Sequence, residues 1–112
     1  MILRQGTVFV QSKKAGTIAE TDQGYEFFYD RDYLNDEAPL PVSLTMPLTT
    51  EVLFSESLFP FFDGLIPEGW LLNVVSRNWK IDRNDRFGLL LCACRDCIGD
   101  VYVLDSNQEV VG

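Results

Sequence analysis

An α+β fold is predicted for this chain: an antiparallel sheet, built from a meander plus a C-terminal strand, with two or three helices packed on it. Three observations predict it. Tyr25, Phe27 and Tyr29 alternate with Glu26, Phe28 and Asp30, the period of a strand with one buried face. Asp82 and Asp85 stand at capping spacing ahead of Phe87, Leu89, Leu90, Leu91 and Cys94, which signals a helix. Residues Ile98 to Leu104 then return as a β-branched run. The chain has 112 residues and is 46% apolar, enough for one core, so residues 1–112 are read as a single domain.

Taken in order, Met1 to Val10 is β-branched and aromatic, and Lys13-Lys14-Ala15-Gly16 reads as a turn before a short extended run at Thr17-Ile18-Ala19. A second turn at Asp22-Gln23-Gly24 leads into the Tyr25 strand, which completes a three-stranded meander. Asp30 to Glu37 is polar and acidic and is expected to be a loop. Pro39, Pro41 and Pro47 bracket Val42-Ser43-Leu44-Thr45, an extended segment suited to an edge or a connection because Pro cannot donate to a central ladder. Glu51 to Phe62 has apolar residues without a clean period and is expected to be helix or turn leading to Gly64. Pro67 suits the first turn of a helix running to about Asn78, with Glu68 complementing its positive end and Leu71, Val74 and Val75 forming its apolar stripe. Asp105 to Gly112 is expected to fray.

Composition excludes several functions. Nine basic residues against seventeen acidic ones give a net charge of −8, which disfavours direct contact with nucleic acid and favours a partner protein with a basic surface. No apolar run approaches the roughly twenty residues that span a bilayer, and no signal-peptide core follows Met1-Ile2-Leu3-Arg4, so a cytoplasmic protein is expected. The odd cysteine count, Cys92, Cys94 and Cys97, speaks for reduced thiols.

The sequence is not that of an enzyme. It contains no histidine, which removes the commonest general base and metal ligand and makes a Ser-His or Cys-His nucleophile impossible. Cys92-x-Cys94-x-x-Cys97 offers three thiolates to zinc, but the fourth ligand would have to be a carboxylate, and Cys in an apolar helix end behaves as a small hydrophobe. A thiol or zinc protein is the weaker alternative, and no cofactor is expected. Cys94-Arg95-Asp96 ends like a kinase catalytic loop, yet Val101 stands where Asn belongs and no glycine-rich phosphate loop is present. Asp30, Asp32, Asp36 and Glu37 lack the spacing and central Gly of a calcium loop. The distinctive segment is Phe61-Phe62-Asp63-Gly64-Leu65-Ile66-Pro67-Glu68-Gly69-Trp70, an apolar run broken by Gly and Pro and ending on an aromatic at a helix start. Core packing is the commoner role for such a Trp, whereas its edge position favours an interface anchor.

Several motifs together resemble the N-terminal subdomain of HipA-type serine/threonine kinase toxins. These are Gly16-Thr17-Ile18, the Tyr25, Phe27, Tyr29, Asp30 strand, Ser43-Leu44-Thr45-Met46-Pro47-Leu48, the Phe61 to Gly69 motif with Ile66 in place of a second Leu, Asn84-Asp85-Arg86-Phe87-Gly88-Leu89-Leu90, and Asp96-Cys97-Ile98-Gly99. Cys94-Arg95 departs from the family, which places a helix-ending Gly near this point.

As a freestanding copy, the chain is similar to the HipS-type antitoxins of HipBST toxin–antitoxin modules. That resemblance implies binding and inhibition of a separate HipT-like kinase toxin, with a HipB-like DNA-binding protein as a further partner in a ternary complex. A subdomain that packs on its own kinase in HipA should keep a docking face. Its expected partner-binding residues are Asp63, Ile66, Glu68, Gly69 and Trp70, with Trp70 filling a pocket in or beside the kinase cleft. The alternative within the family is a truncated N-terminal regulatory fragment of a HipA-type kinase. Met1 and the polar C-terminal end favour an intact small product.

Overall fold

Alternation of large apolar side chains at Val8 and Val10, at Ile18, at Phe27 and Tyr29 and at Val103 builds one continuous buried sheet face. A computed structural model describes residues 2–66, 77, 81, 82, 84–93 and 101–105. Its elements are β1 (Ile2–Val10), β2 (Lys13–Thr21), β3 (Tyr25–Tyr29), α1 (Arg31–Leu34), β4 (Leu53–Ser55), α2 (Pro60–Asp63), α3 (Arg86–Ala93) and β5 (Val101–Asp105). The sheet order is β4-β3-β2-β1-β5, with every neighbouring pair antiparallel. The expected α+β class, meander and C-terminal strand are present. Of the expected helix from Pro67 to about Asn78, only the exposed Arg77 lies within the described residues.

The first turn differs from expectation. Register pairs Val10 with Lys13, so Gln11 and Ser12 alone connect β1 to β2, at φ 51° and 69°. A two-residue hairpin needs such left-handed residues to match the strand twist, and these carry none of the usual Asn-Gly chemistry. Lys13 to Gly16, expected as the turn, instead opens β2. Gly16 is there for close approach: a Cβ would lie 2.3 Å from the backbone O of Phe28 and 3.0 Å from the Tyr29 Cα.

Two further stretches are more regular than expected. Within the acidic segment after Asp30, α1 forms because Tyr33 is buried and its ring stacks on Tyr29, 6.3 Å away and 6° from parallel. Within residues 51–62, β4 adds to the β3 edge, with Leu53 opposite Phe27 and Ser55 opposite Tyr25. Pro60 then opens α2 at a position where its missing N–H costs nothing. A strand of three residues is too short to show a period, which is why it escaped the pattern. The Pro-bracketed segment is a connection and no strand: Ser43 and Met46 bridge around a tight turn. Val42 and Met46 point into the core.

α2 and α3 pack on the buried sheet face. Phe62 meets Phe27, with centroids 5.8 Å apart, and the Phe87 ring lies 5.7 Å from that of Tyr25. Phe87, Leu89, Leu90 and Leu91 are all buried. Asp85 caps α3 as its spacing predicts, accepting the Gly88 N–H at 3.1 Å on its side chain and the Leu89 N–H at 3.0 Å on its backbone. β5 holds Val101–Asp105 of the expected closing strand, and Asp105, expected at the start of the tail, is paired with Gly6.

Candidate functional site

The segment that carries the Phe-Phe motif folds from the end of β4 through α2. After α2 the backbone stays curled: Leu65 N–H bonds to Phe62 O at 3.0 Å and Ile66 N–H to Asp63 O at 3.2 Å. That curl sets the side chains. Phe62 and Ile66 turn inward, at 0% and 3% exposed, while Asp63 turns outward with 44% of its side chain exposed.

The placement corrects one expectation. Ile66, expected at the partner surface, is a core residue, so it supports the segment from beneath. Asp63, also named for that surface, has 44% of its side chain exposed. Glu68, Gly69 and Trp70 fall outside the described residues.

Asp63 opens onto a cleft of about 570 Å³ lined by Tyr25, Glu56, Ser57, Leu58, Pro60, Asp63 and Arg86. Arg86, the first residue of α3, donates from Nε to Asp63 Oδ1 at 2.8 Å and from Nη2 to the Asp63 backbone O at 3.4 Å. It thereby ties the end of α2 to the start of α3. Sequence reasoning found Asp63 but missed Arg86, Tyr25 and Glu56, which reach the cleft only through tertiary contact. For Arg86 a weak signal existed, since it follows the capping Asp85 directly and must project near the helix start.

Behind the cleft, Arg4 of β1 makes a double fork. It donates to both oxygens of Glu20, at 2.7 and 3.0 Å, and to both oxygens of Asp85, at 2.9 and 2.8 Å. Its guanidinium also lies over the Phe87 ring, 5.4 Å from the centroid. Hydrogen bonds that Arg4 donates to Asp85 and then to Glu20 hold its guanidinium firmly charged, and the same bonds hold the Asp85 carboxyl below its ordinary range. Burial pushes the Tyr25 phenol up, away from ionisation. The α3 start is thus anchored to the meander by charge-assisted bonds.

Asp63 is engaged by Arg86, Tyr25 is held protonated, and no histidine exists to exchange protons. Among the described residues no three His, Cys, Asp or Glu groups converge as a metal site, and Cys92 is half-buried.

Among the described residues, an open antiparallel sheet with α2 and α3 packed on its buried face and a cleft between those two helices defines a small α+β domain. Comparison with known proteins identifies it further. The model of the HipA N-terminal domain matches residues 6–104, and the chain belongs to that family. An uncharacterized protein of Haemophilus influenzae (strain ATCC 51907 / DSM 11121 / KW20 / Rd) is 33% identical over 107 residues, covering 96% of this chain and 97% of that protein. A Sinorhizobium fredii (strain NBRC 101917 / NGR234) protein named "Putative kinase Y4mE" is 31% identical over 85 residues, which is 76% of this chain but 20% of its own length. A solved structure, the N-terminal domain of HipA toxin, matches with a TM-score of 0.71 at 30% identity over 95% of both chains.

Proposed function

We propose that this chain is an antitoxin of the HipBST type, which binds a separate HipT-like serine/threonine kinase toxin and inhibits it near its active site. The observation that carries the reading is the span of its relatives. The same domain fills 97% of the H. influenzae protein and matches a region that is only 20% of Y4mE, so it occurs both nearly alone and joined to a much larger chain named as a kinase. A domain of that kind, freed from its chain, keeps the surface it would use against a kinase and can dock on one in trans.

In this reading the docking segment is 63–70. Asp63 presents its carboxylate beside Arg86, Ile66 anchors the segment in the core, and Glu68, Gly69 and Trp70 form the tip, with Trp70 filling a pocket in or beside the kinase cleft. The acids meet basic groups of the kinase, in keeping with a net charge of −8. The chain works without cofactor, in the cytoplasm, and touches no nucleic acid; a HipB-like protein contacts DNA in the ternary complex.

The test is reconstitution with the kinase encoded beside it. A stable complex with suppressed phosphoryl transfer is expected, and Trp70→Ala should cost about 2 kcal/mol or more of binding, roughly thirtyfold in Kd. Failure to form a complex would overturn the antitoxin reading. An intact affinity in Trp70→Ala would overturn only the tip. The match to Y4mE favours a second reading, in which the domain regulates a kinase to which it is joined in one chain. A stop codon followed by a separate kinase reading frame decides between them.

A further inference from the structure

We propose that the cleft where β4 parts from β3 is a binding site for a small aliphatic carboxylate, with Arg31 as the anion contact. β4 pairs with β3 at Tyr25–Ser55, Glu26–Phe54 and Phe27–Leu53. Beyond that point, among the described residues, Phe28 and Tyr29 keep strand partners on the β2 side only. The chain ahead of β4 leaves the sheet there, and a cleft of about 330 Å³ opens, lined by Phe28, Tyr29, Arg31, Leu34, Thr50 and Val52. Its walls are chiefly apolar.

Two polar groups at this cleft have no partner. Arg4, Lys13, Lys14 and Arg86 each pair with a carboxylate, whereas the exposed Arg31 guanidinium makes no hydrogen bond or ion pair among the described residues. The Thr50 hydroxyl is free in the same sense. The Tyr29 hydroxyl is engaged by Val42 and Met46 and cannot serve a ligand. Asp30, Asp32 and Glu51 adjoin lining residues in sequence, yet none of them lines the cleft, and Asp30 stands 3.9 Å from Lys14 Nζ. A lone cation on an apolar wall selects a carboxylate borne on a hydrocarbon body, whose apolar part covers Phe28, Leu34 and Val52 while Arg31 and Thr50 donate to its oxygens. Length excludes a strand running through: two residues give about 7 Å of open edge, closed at one end by the Phe27–Leu53 pair and at the other by α1. A compact ligand fits. The cleft shares no residue with 63–70, so it stands independently of kinase docking.

The probe is isocaproate, titrated into the isotope-labelled full chain and followed by amide NMR shifts, with the neutral isocaproamide and a Gly-Ser-Gly-Leu peptide as counterparts. Saturable shifts at Phe28, Arg31, Leu34, Thr50 and Val52 are expected from isocaproate and not from its amide. Arg31→Gln should weaken binding about fivefold or more, as for a charge-assisted bond at an exposed site. Val52→Glu sets a carboxylate on the cleft wall and should abolish binding; Val52 is 55% exposed, so the core stays filled, and unchanged shifts elsewhere in the spectrum check the fold. Lys13→Gln, which removes a cation outside the cleft, should leave the affinity unchanged. The proposal is overturned by any of five results: no saturable binding, equal binding of isocaproamide, undiminished affinity in Arg31→Gln, an equal loss in Lys13→Gln that marks diffuse attraction, or binding confined to the peptide, which would make a chain terminus the occupant.

Discussion

Single residues of this protein work chiefly by joining distant parts of the chain. Arg4 and Asp85 are 81 positions apart, yet their paired bonds tie the α3 start to the meander. Since Arg4 lowers the folded pKa of Asp85, the pair stabilises the fold fully above the unfolded value of about 4 and loses that contribution as pH falls through the folded value. Asp85→Asn keeps a capping side chain but removes the charge, so it should cost about 1 kcal/mol at pH 7, a modest figure because both side chains are partly exposed. In denaturant titrations the gap between wild type and variant should narrow at pH 3; a constant gap would assign the effect to packing. Ser12 offers the opposite case. With φ at 69° it strains an L-residue, and Ser12→Gly should raise stability by about 0.5 to 1 kcal/mol in the same titration.

At the scale of elements, two tyrosine hydroxyls hold the long connection between α1 and β4. Tyr29 Oη accepts the Val42 N–H at 3.1 Å and donates to the Met46 carbonyl, both within the core. Tyr33 Oη donates to Leu40 O at 2.7 Å and accepts its N–H at 3.0 Å. Tyr29→Phe should leave a buried N–H and C=O unpaired, costing about 1 to 3 kcal/mol and speeding amide exchange at Val42 and Met46 more than in β1. A uniform rise in exchange would mean that the hydroxyl serves global stability only. The elements also mark how far sequence reading reached. β3 and α3 were legible because alternation and capping are local signals. β4, α1 and the Gln11-Ser12 turn were not, because each is imposed by neighbours: Phe27 and Tyr25 for β4, Tyr29 for α1, and the Val10–Lys13 register for the turn.

The whole molecule is an acidic domain, and the kinase docking proposed above should carry that signature. If the net charge of −8 steers it to a basic surface, its association rate should fall by about tenfold between low and physiological salt while the dissociation rate changes little. Stopped-flow mixing measures both, and a salt-independent association rate would remove electrostatic steering from the account.

The sequence alone determined the α+β class, the meander, the capped α3 and the motifs of the HipA N-terminal domain family, since periodicity, caps and motif order are written in neighbouring residues. Only the tertiary structure decided that Ile66 faces the core while Asp63 faces out, that Arg86 joins α2 to α3, and that Arg31 borders an apolar cleft where β4 parts from β3. Those outcomes depend on which distant surfaces meet when the sheet face is buried, and no local pattern encodes that meeting.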